Sequence, residues 1–502
     1  MENEEKLNIA TKSKLATTQV TTSLAVDVDD GKITKVLTLC ARPKITSIQT
    51  DNGQVKFDGN IIYDMLVVTS DSQILPLSKE APFSQVVENA SVSIGDNITI
   101  LPEVQEVSSE FRGEELFVSS TANFALYIVK QNEQISLCGN LDDVFTKTEE
   151  QSYTALVRSI SSEFSLPLTF AKDGKIGSIL CLKNMASIKS ILPSSDYFAV
   201  SGEVYTTIVY MSQDGTVRST FKETPFSEEV EAQGTTKDSI VQALLSVPSY
   251  AVQEGDNSFD ITLNLSLQAN VYEPKTFECV LDAYSLKNDV NLTTSSFAQN
   301  TFLSTIQVED NLLTNFALEE GMAPIDKILA TVPTNVTITS QIVKNGEILL
   351  EGIATINMIY YSEDEDGNKI LSSIDIDVPY SVPFVASELQ EQDLVTAQID
   401  IGDINVKSRH GRELEILIEL YATLNISRDI VGVATTELTL GEVKPAKDCA
   451  LEIYLVREGD TLWDIAKKLN ISMSELSSQN PQLSLELKPG DKVVAYTREE
   501  SN

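Results

Sequence analysis

Apolar and polar residues alternate with a period of two through most of this chain. Ile261, Leu263, Leu265, Leu267, Ala269 and Val271 interleave with Thr262, Asn264, Ser266, Gln268 and Asn270, and Leu414, Ile416, Ile418 and Leu420 alternate in the same way. Successive side chains of a strand point to opposite faces, so this pattern predicts strands with one face on a core and the other in water. Asp214-Gly215 and Asp366-Gly367 stand between such runs. Asp-Gly favours the positive φ of a tight hairpin turn. Long helical stripes are scarce. The expected fold is mainly β, built of antiparallel, sandwich-like β-domains, with a mixed α+β domain as the alternative.

The pattern recurs at the scale of a whole domain. Ile45-Thr46-Ser47 returns as Ile188-Lys189-Ser190 and Ile338-Thr339-Ser340. Phe57-Asp58-Gly59 matches Val200-Ser201-Gly202 and Leu350-Glu351-Gly352, and Pro82-Phe83-Ser84 matches Pro225-Phe226-Ser227 and Pro379-Tyr380-Ser381. Gly31-Lys32-Ile33 is repeated once, as Gly174-Lys175-Ile176. The first two copies keep an offset of 143 residues; the third follows at 150, rising to 154 after Gly352, where Ser212-Gln213-Asp214-Gly215 becomes the longer run 362–367. Insertions fall in turns when the flanking strands must keep register. The copies are too long for solenoid repeats and read as tandem domains at 20–147, 160–290 and 303–441. Polar stretches at 147–154, 291–300 and 442–448 are the expected linkers.

The period changes near the end. Tyr454 and Val456 share one strand face with Leu455 opposite, and Gly459 permits a sharp turn. Leu462, Ile465, Ala466 and Leu469 then follow the i, i+3, i+4, i+7 spacing of a helix stripe. Asp460 is placed to cap that helix. Ser472-Met473-Ser474-Glu475 is a capping box for a second helix, which Asn480-Pro481 stops. Pro489-Gly490 turns the chain into a last strand at 492–495. These ordered motifs over 452–497 resemble the LysM domain, a small βααβ fold. The resemblance implies a shallow groove for N-acetylglucosamine polymers. One wall is Gly459, Asp460, Thr461 and Leu462; the other is Asn480, Pro481, Gln482 and Leu483. Backbone groups and amides would bond the acetamido group, and apolar side chains would pack on the sugar face. Trp463, the only tryptophan, lies about 100° around the helix from Leu462. It is expected at the module's edge or as an anchor for a protein partner.

Composition narrows the function. The 37 Lys and Arg against 74 Asp and Glu leave a formal charge of -37. Such a surface repels phosphate backbones and anionic membranes, so no nucleic-acid partner is expected. No run reaches the ~18 apolar residues of a membrane span, so no membrane insertion is expected. Five cysteines without a C-x-x-C suggest neither a disulfide framework nor a zinc site. The single histidine, His410, reads as a loop residue, which argues against a His-based triad, and one histidine is too few for a histidine-rich metal site. The acidic run 363–366 reads as a solvated turn. No phosphate-binding glycine motif occurs. The chain is expected to be non-enzymatic, with no cofactor or metal. A LysM-targeted hydrolase would require polar residues in one repeat that its sisters lack, and no such set is seen. The start, Met1-Glu2-Asn3-Glu4-Glu5-Lys6, has no basic segment followed by an apolar run, so a cytoplasmic location is expected.

Three repeated β-domains followed by a LysM-like module resemble the clostridial spore-coat morphogenetic LysM proteins. That resemblance implies a scaffold in the mother-cell cytoplasm, at the forespore surface and spore coat. Its partners would be the coat-basement morphogenetic ATPase or other coat proteins. A cytosolic LysM is separated from wall glycan by a membrane, which favours a protein partner, and tandem domains would add avidity. The alternative is a cell-wall protein that binds peptidoglycan through N-acetylglucosamine.

Overall fold

The alternating runs are strands in a computed structural model that describes residues 4–27, 32–138, 143–171, 176–363, 366–445, 451–481 and 487–496. The first unit contains β1 (Glu4–Val26), β2 (Ile33–Asp51), β3 (Gln54–Thr69), β4 (Ile74–Glu88), β5 (Asn97–Arg112) and β6 (Glu115–Leu137). They form two antiparallel three-stranded sheets, ordered β1-β6-β5 and β2-β3-β4. Phe57, Ile61 and Met65 of one sheet and Val118, Phe124 and Leu126 of the other share one buried core, which makes the unit a sandwich.

The same order occurs twice more. The second unit has β7 (Phe145–Ala171), β8 (Ile176–Ser194), β9 (Tyr197–Ser212), β10 (Val217–Glu231), β11 (Ile240–Glu254) and β12 (Ser258–Tyr284). The third has β13 (Asn288–Ala317), β14 (Ile325–Lys344), β15 (Glu347–Glu363), β16 (Lys369–Val385), β17 (Leu394–Arg409) and β18 (Glu413–Val443). Their sheets are β7-β12-β11 with β8-β9-β10, and β13-β18-β17 with β14-β15-β16. The alternating runs at 261–271 and 414–420 are the central strands β12 and β18, with their apolar members buried. Gly215 and Gly367 take φ of +78° and +79° in the β9–β10 and β15–β16 turns, and the longer third copy is accommodated there.

The repeated sequence landmarks form one row across each sheet. A register shift after Ile45, Ile188 or Ile338 marks a β-bulge opposite Gly59, Gly202 or Gly352. On the glycine's other side its cross-strand partner is Phe83, Phe226 or Tyr380. A Cβ at any of the three glycines would collide with the bulge carbonyl of Lys44, Ser187 or Thr337 and with the aromatic ring. Glycine therefore lets the bulged strand close in while the ring covers the gap. In the third unit the Tyr380 hydroxyl donates to that carbonyl, Thr337 O, at 2.8 Å.

The three sandwiches close into a ring. Leu37, Leu180 and Ala330 are equivalent positions, as are Leu66, Val209 and Ile359, and all six lie in one buried cluster. Polar ties run around the same circuit. The Arg42 guanidinium donates to Pro248 O, Lys189 Nζ lies 2.8 Å from Glu309, and the Ile338 N–H donates to Glu103 at 2.8 Å.

The paired strands β1/β6, β7/β12 and β13/β18 continue beyond the sandwiches as two-stranded ribbons. Leu7, Ile9, Tyr153, Phe277, Phe297 and Ala434 bring the ribbons into one buried cluster. The Thr154 N–H donates to Gln299 Oε1 at 2.9 Å across them. This corrects two expected linkers: 147–154 lies in β7 and 291–300 lies in β13. Their polarity belongs to a narrow ribbon, of which only one face is covered. Of 442–448, Glu442 and Val443 end β18, and residues from 446 on lie outside the described ones.

Cys40, Cys138, Cys181 and Cys279 are free thiols; only Cys279 is fully buried, and Cys449 lies outside the described residues. His410 sits at φ +52° in the β17–β18 turn. Asp364 and Glu365 lie outside the described residues. No helix among the described residues is long and apolar enough to cross a membrane.

Candidate functional site

The terminal module consists of β19 (Leu451–Leu455), α1 (Leu462–Leu469), α2 (Met473–Gln479) and β20 (Lys492–Tyr496), with β19 and β20 antiparallel. Val456, Ile465, Ala466, Leu469, Leu476 and Val493 form its core. Both -Gly-Asp- motifs do the same job. Gly459 and Gly490 have φ of +87° and +96°, values that favour glycine. The aspartate after each ties its turn: Asp460 accepts from the Arg457 N–H at 2.8 Å and Asp491 from the Lys488 N–H at 2.9 Å.

Asp460 is therefore not the helix cap expected from sequence. The N-cap is Thr461, whose hydroxyl accepts from the Asp464 N–H at 3.3 Å, while Asp464 accepts the Thr461 N–H at 3.0 Å. The turn takes up Asp460, so the cap falls one residue later. The Asp460 carboxylate also accepts from Lys468 Nζ and the Tyr454 hydroxyl, both at 2.8 Å. The Lys468 ammonium above all, then the Arg457 amide, pulls its pKa down to about 2. Ser472 and Glu475 form the expected capping box of α2.

Asn480 works inside the module. Its Nδ2 donates to Leu476 O at 2.8 Å and Val494 O at 2.6 Å, and its Oδ1 accepts from the Val494 N–H at 2.7 Å. Gln479 repeats the arrangement on Tyr496. Two side-chain amides thus pair with the free edge of β20 as a neighbouring strand would. The Asn480 amide is fully engaged by the fold.

Trp463 faces the body of the same chain. Its Nε1–H donates to Asp282 Oδ2 at 2.8 Å, and its ring meets Tyr284 edge-on at 4.9 Å between centroids. Lys467 Nζ reaches Asp282 Oδ1 at 2.6 Å. Asn470 Nδ2 donates to Leu286 O at 2.8 Å, and the Tyr284 hydroxyl donates to Ile471 O at 2.9 Å. Residues 463, 467 and 470 are spaced i, i+4, i+7, so one face of α1 lies on the end of the β7/β12 ribbon. Burial pushes the Asp282 carboxyl up, but the hydrogen bonds from Lys467 and Trp463 outweigh it and hold the group below its ordinary range.

Of the nine candidate residues, Gly459, Thr461 and Pro481 are exposed and Leu462 is half-buried. Asp460, Thr461 and Asn480 have side chains engaged within the module, and Trp463 is docked on the body. Gln482 and Leu483 lie outside the described residues. The wall from Gly459 to Leu462 therefore offers the exposed residues Gly459 and Thr461 and the half-buried, apolar Leu462. An apolar patch outside the expected walls lies on the outer face of β19/β20, where Leu451, Ile453, Leu455 and Tyr496 are each more than half exposed. The strict alternation of Leu451, Ile453 and Leu455 is the signal for it. Among the described residues no group of His, Cys, Asp and Glu could hold a metal ion.

Residues 454–495 match the family model of the LysM domain. That match suggests binding to peptidoglycan or other N-acetylglucosamine glycans. No curated protein matches the chain.

Proposed function

We propose that the chain is a non-enzymatic binding protein whose terminal module holds an N-acetylglucosamine polymer. The observation that carries this is the module itself: residues 454–495 match LysM, and the loop from Gly459 to Leu462 keeps Gly459 and Thr461 exposed at the place where such a ligand is expected. The ring of sandwiches then acts as the mount. The test is calorimetry of the full chain with chito-oligosaccharides. Saturable micromolar binding is expected. No heat of binding at millimolar oligomer would refute the reading.

A second reading keeps the chain in the mother-cell cytoplasm as a spore-coat scaffold, with the module on a coat-basement morphogenetic ATPase. What supports it is the layout, three like units and then a single module. Trp463 no longer supports it, because that side chain is already paired within the chain. A fluorescent fusion that rings the forespore in sporulating cells, together with no glycan binding, would favour this reading over the first.

A further inference from the structure

We propose that Asp282, a residue of the ring-and-ribbon body, is a positioning residue for the binding groove of the terminal module. The proposal rests on the glycan reading of that module. The groove wall Gly459–Leu462 leads directly into α1, and its Thr461 is the N-cap of that helix. A helix of eight residues is marginal alone, because nucleation is costly and few hydrogen bonds repay it. The capping box of Thr461 and Asp464 and the buried Ile465, Ala466 and Leu469 hold it from within the module, and the body adds a second hold on its outer face. Trp463 in that turn and Lys467 one turn on both end on the one carboxylate of Asp282.

Tyr284 meets the Trp463 ring in the same turn, but the other polar contacts of the docked face lie further from the wall. Asn470 and Ile471 meet Leu286 and Tyr284 at the far end of α1. Lys444 bridges the same end, reaching Ser285 O at 2.7 Å and Asn470 Oδ1 at 2.9 Å. These keep the module on the body, whereas Asp282 ties the part of the helix nearest the wall to it. With Asp282 removed, the module stays attached but the wall samples more conformations. Its affinity then falls by the fraction of time the wall is formed.

The experiment uses the full chain and its only tryptophan, Trp463, as the reporter. Asp282→Ala is expected to shift Trp463 emission to the red, because the indole N–H passes from the carboxylate to water. It should weaken binding of a chito-oligosaccharide roughly three- to tenfold. Asp282→Asn keeps an acceptor for the indole and loses the ion pair with Lys467, so it should recover part of both effects. A purely supportive role in the body would shift emission too, since the indole loses its acceptor either way, but would leave affinity alone. No emission shift in Asp282→Ala overturns the proposal, as does a shift with unchanged affinity. If the unsubstituted chain binds no oligomer, the glycan reading itself fails; binding that Asp282→Ala leaves intact defeats the positioning role alone.

Discussion

Asn480→Ala separates a ligand contact from a fold contact. The side chain is 2% exposed and makes three hydrogen bonds, to Leu476 O, Val494 O and the Val494 N–H. At a net of about 1 kcal/mol each, their loss costs about 3 kcal/mol, before any charge for backbone groups left without partners. A module this small has little stability to lose, and at 4–8 °C per kcal/mol its melting point should fall by at least about 12 °C. Trp463 lies in the module and is the only tryptophan, so its emission follows the module and its contact with the body. Glycan binding should be lost in step with folding and return on cooling if any folded fraction remains. An Asn480→Ala chain with unchanged melting and lost affinity would refute the argument. Asn480 would then be a ligand contact, not a strand substitute.

Other substitutions probe the body and the turn. Gly202→Ala places a Cβ against Ser187 O and the Phe226 ring, and should destabilise the second unit by about 3 kcal/mol, read as a lower urea midpoint. Arg428→Ala leaves the fully covered Asp393 carboxylate without the guanidinium that reaches it at 2.7 and 2.9 Å, and should cost the third unit about 3–5 kcal/mol in denaturant titration. Asp460 has a folded pKa of about 2 against 3.8 when free, so its stabilisation is complete above the free value and disappears as pH falls through the folded one. The Trp463-reported melting point should therefore drop between pH 3.8 and about 2, and Lys468→Ala should flatten that drop.

Period-two alternation was enough to read the β class, because each sandwich strand really has one covered face. The landmarks carried more than their use as repeat markers suggests. Ile45-Thr46-Ser47, Gly59 and Phe83 are neighbours on three adjacent strands, so their spacing encodes a bulge, a close approach and a covering ring. The ring closure was harder to see, although a trace of it is present. Met65-Leu66-Val67-Val68 is apolar on both faces, and Leu66 points away from its own sandwich into the shared centre. A continuous apolar run signals a strand covered twice, but not what covers it. The ribbons resemble linkers in sequence, since a strand outside its sandwich buries little and looks polar. In the module, Asp460 stands next to the helix start and suggests a cap, while the turn that claims it depends on backbone conformation. The docking of Trp463 on Asp282 is a contact between residues 181 apart, and no local pattern announces it.

The distribution of charge bears on why the module is held on the body rather than tethered. Residues 452–497 carry seven acidic and five basic side chains, a net of -2, against -37 for the whole chain. Nearly all the repulsion toward anionic polymers therefore comes from the ring and ribbons, and it acts over about a Debye length, ~8 Å at physiological salt. A freely swinging module would leave that zone and meet anionic and neutral polymers alike. A module docked by Trp463, Lys467 and Asn470 stays beside the acidic β7/β12 ribbon, where Glu149, Glu150 and Glu278 lie. An uncharged acetamido sugar approaches that edge without electrostatic cost, whereas a polyphosphate does not. On the proposed glycan reading, docking then adds selectivity to order, since a groove held beside the acidic body is screened by charge as well as by shape.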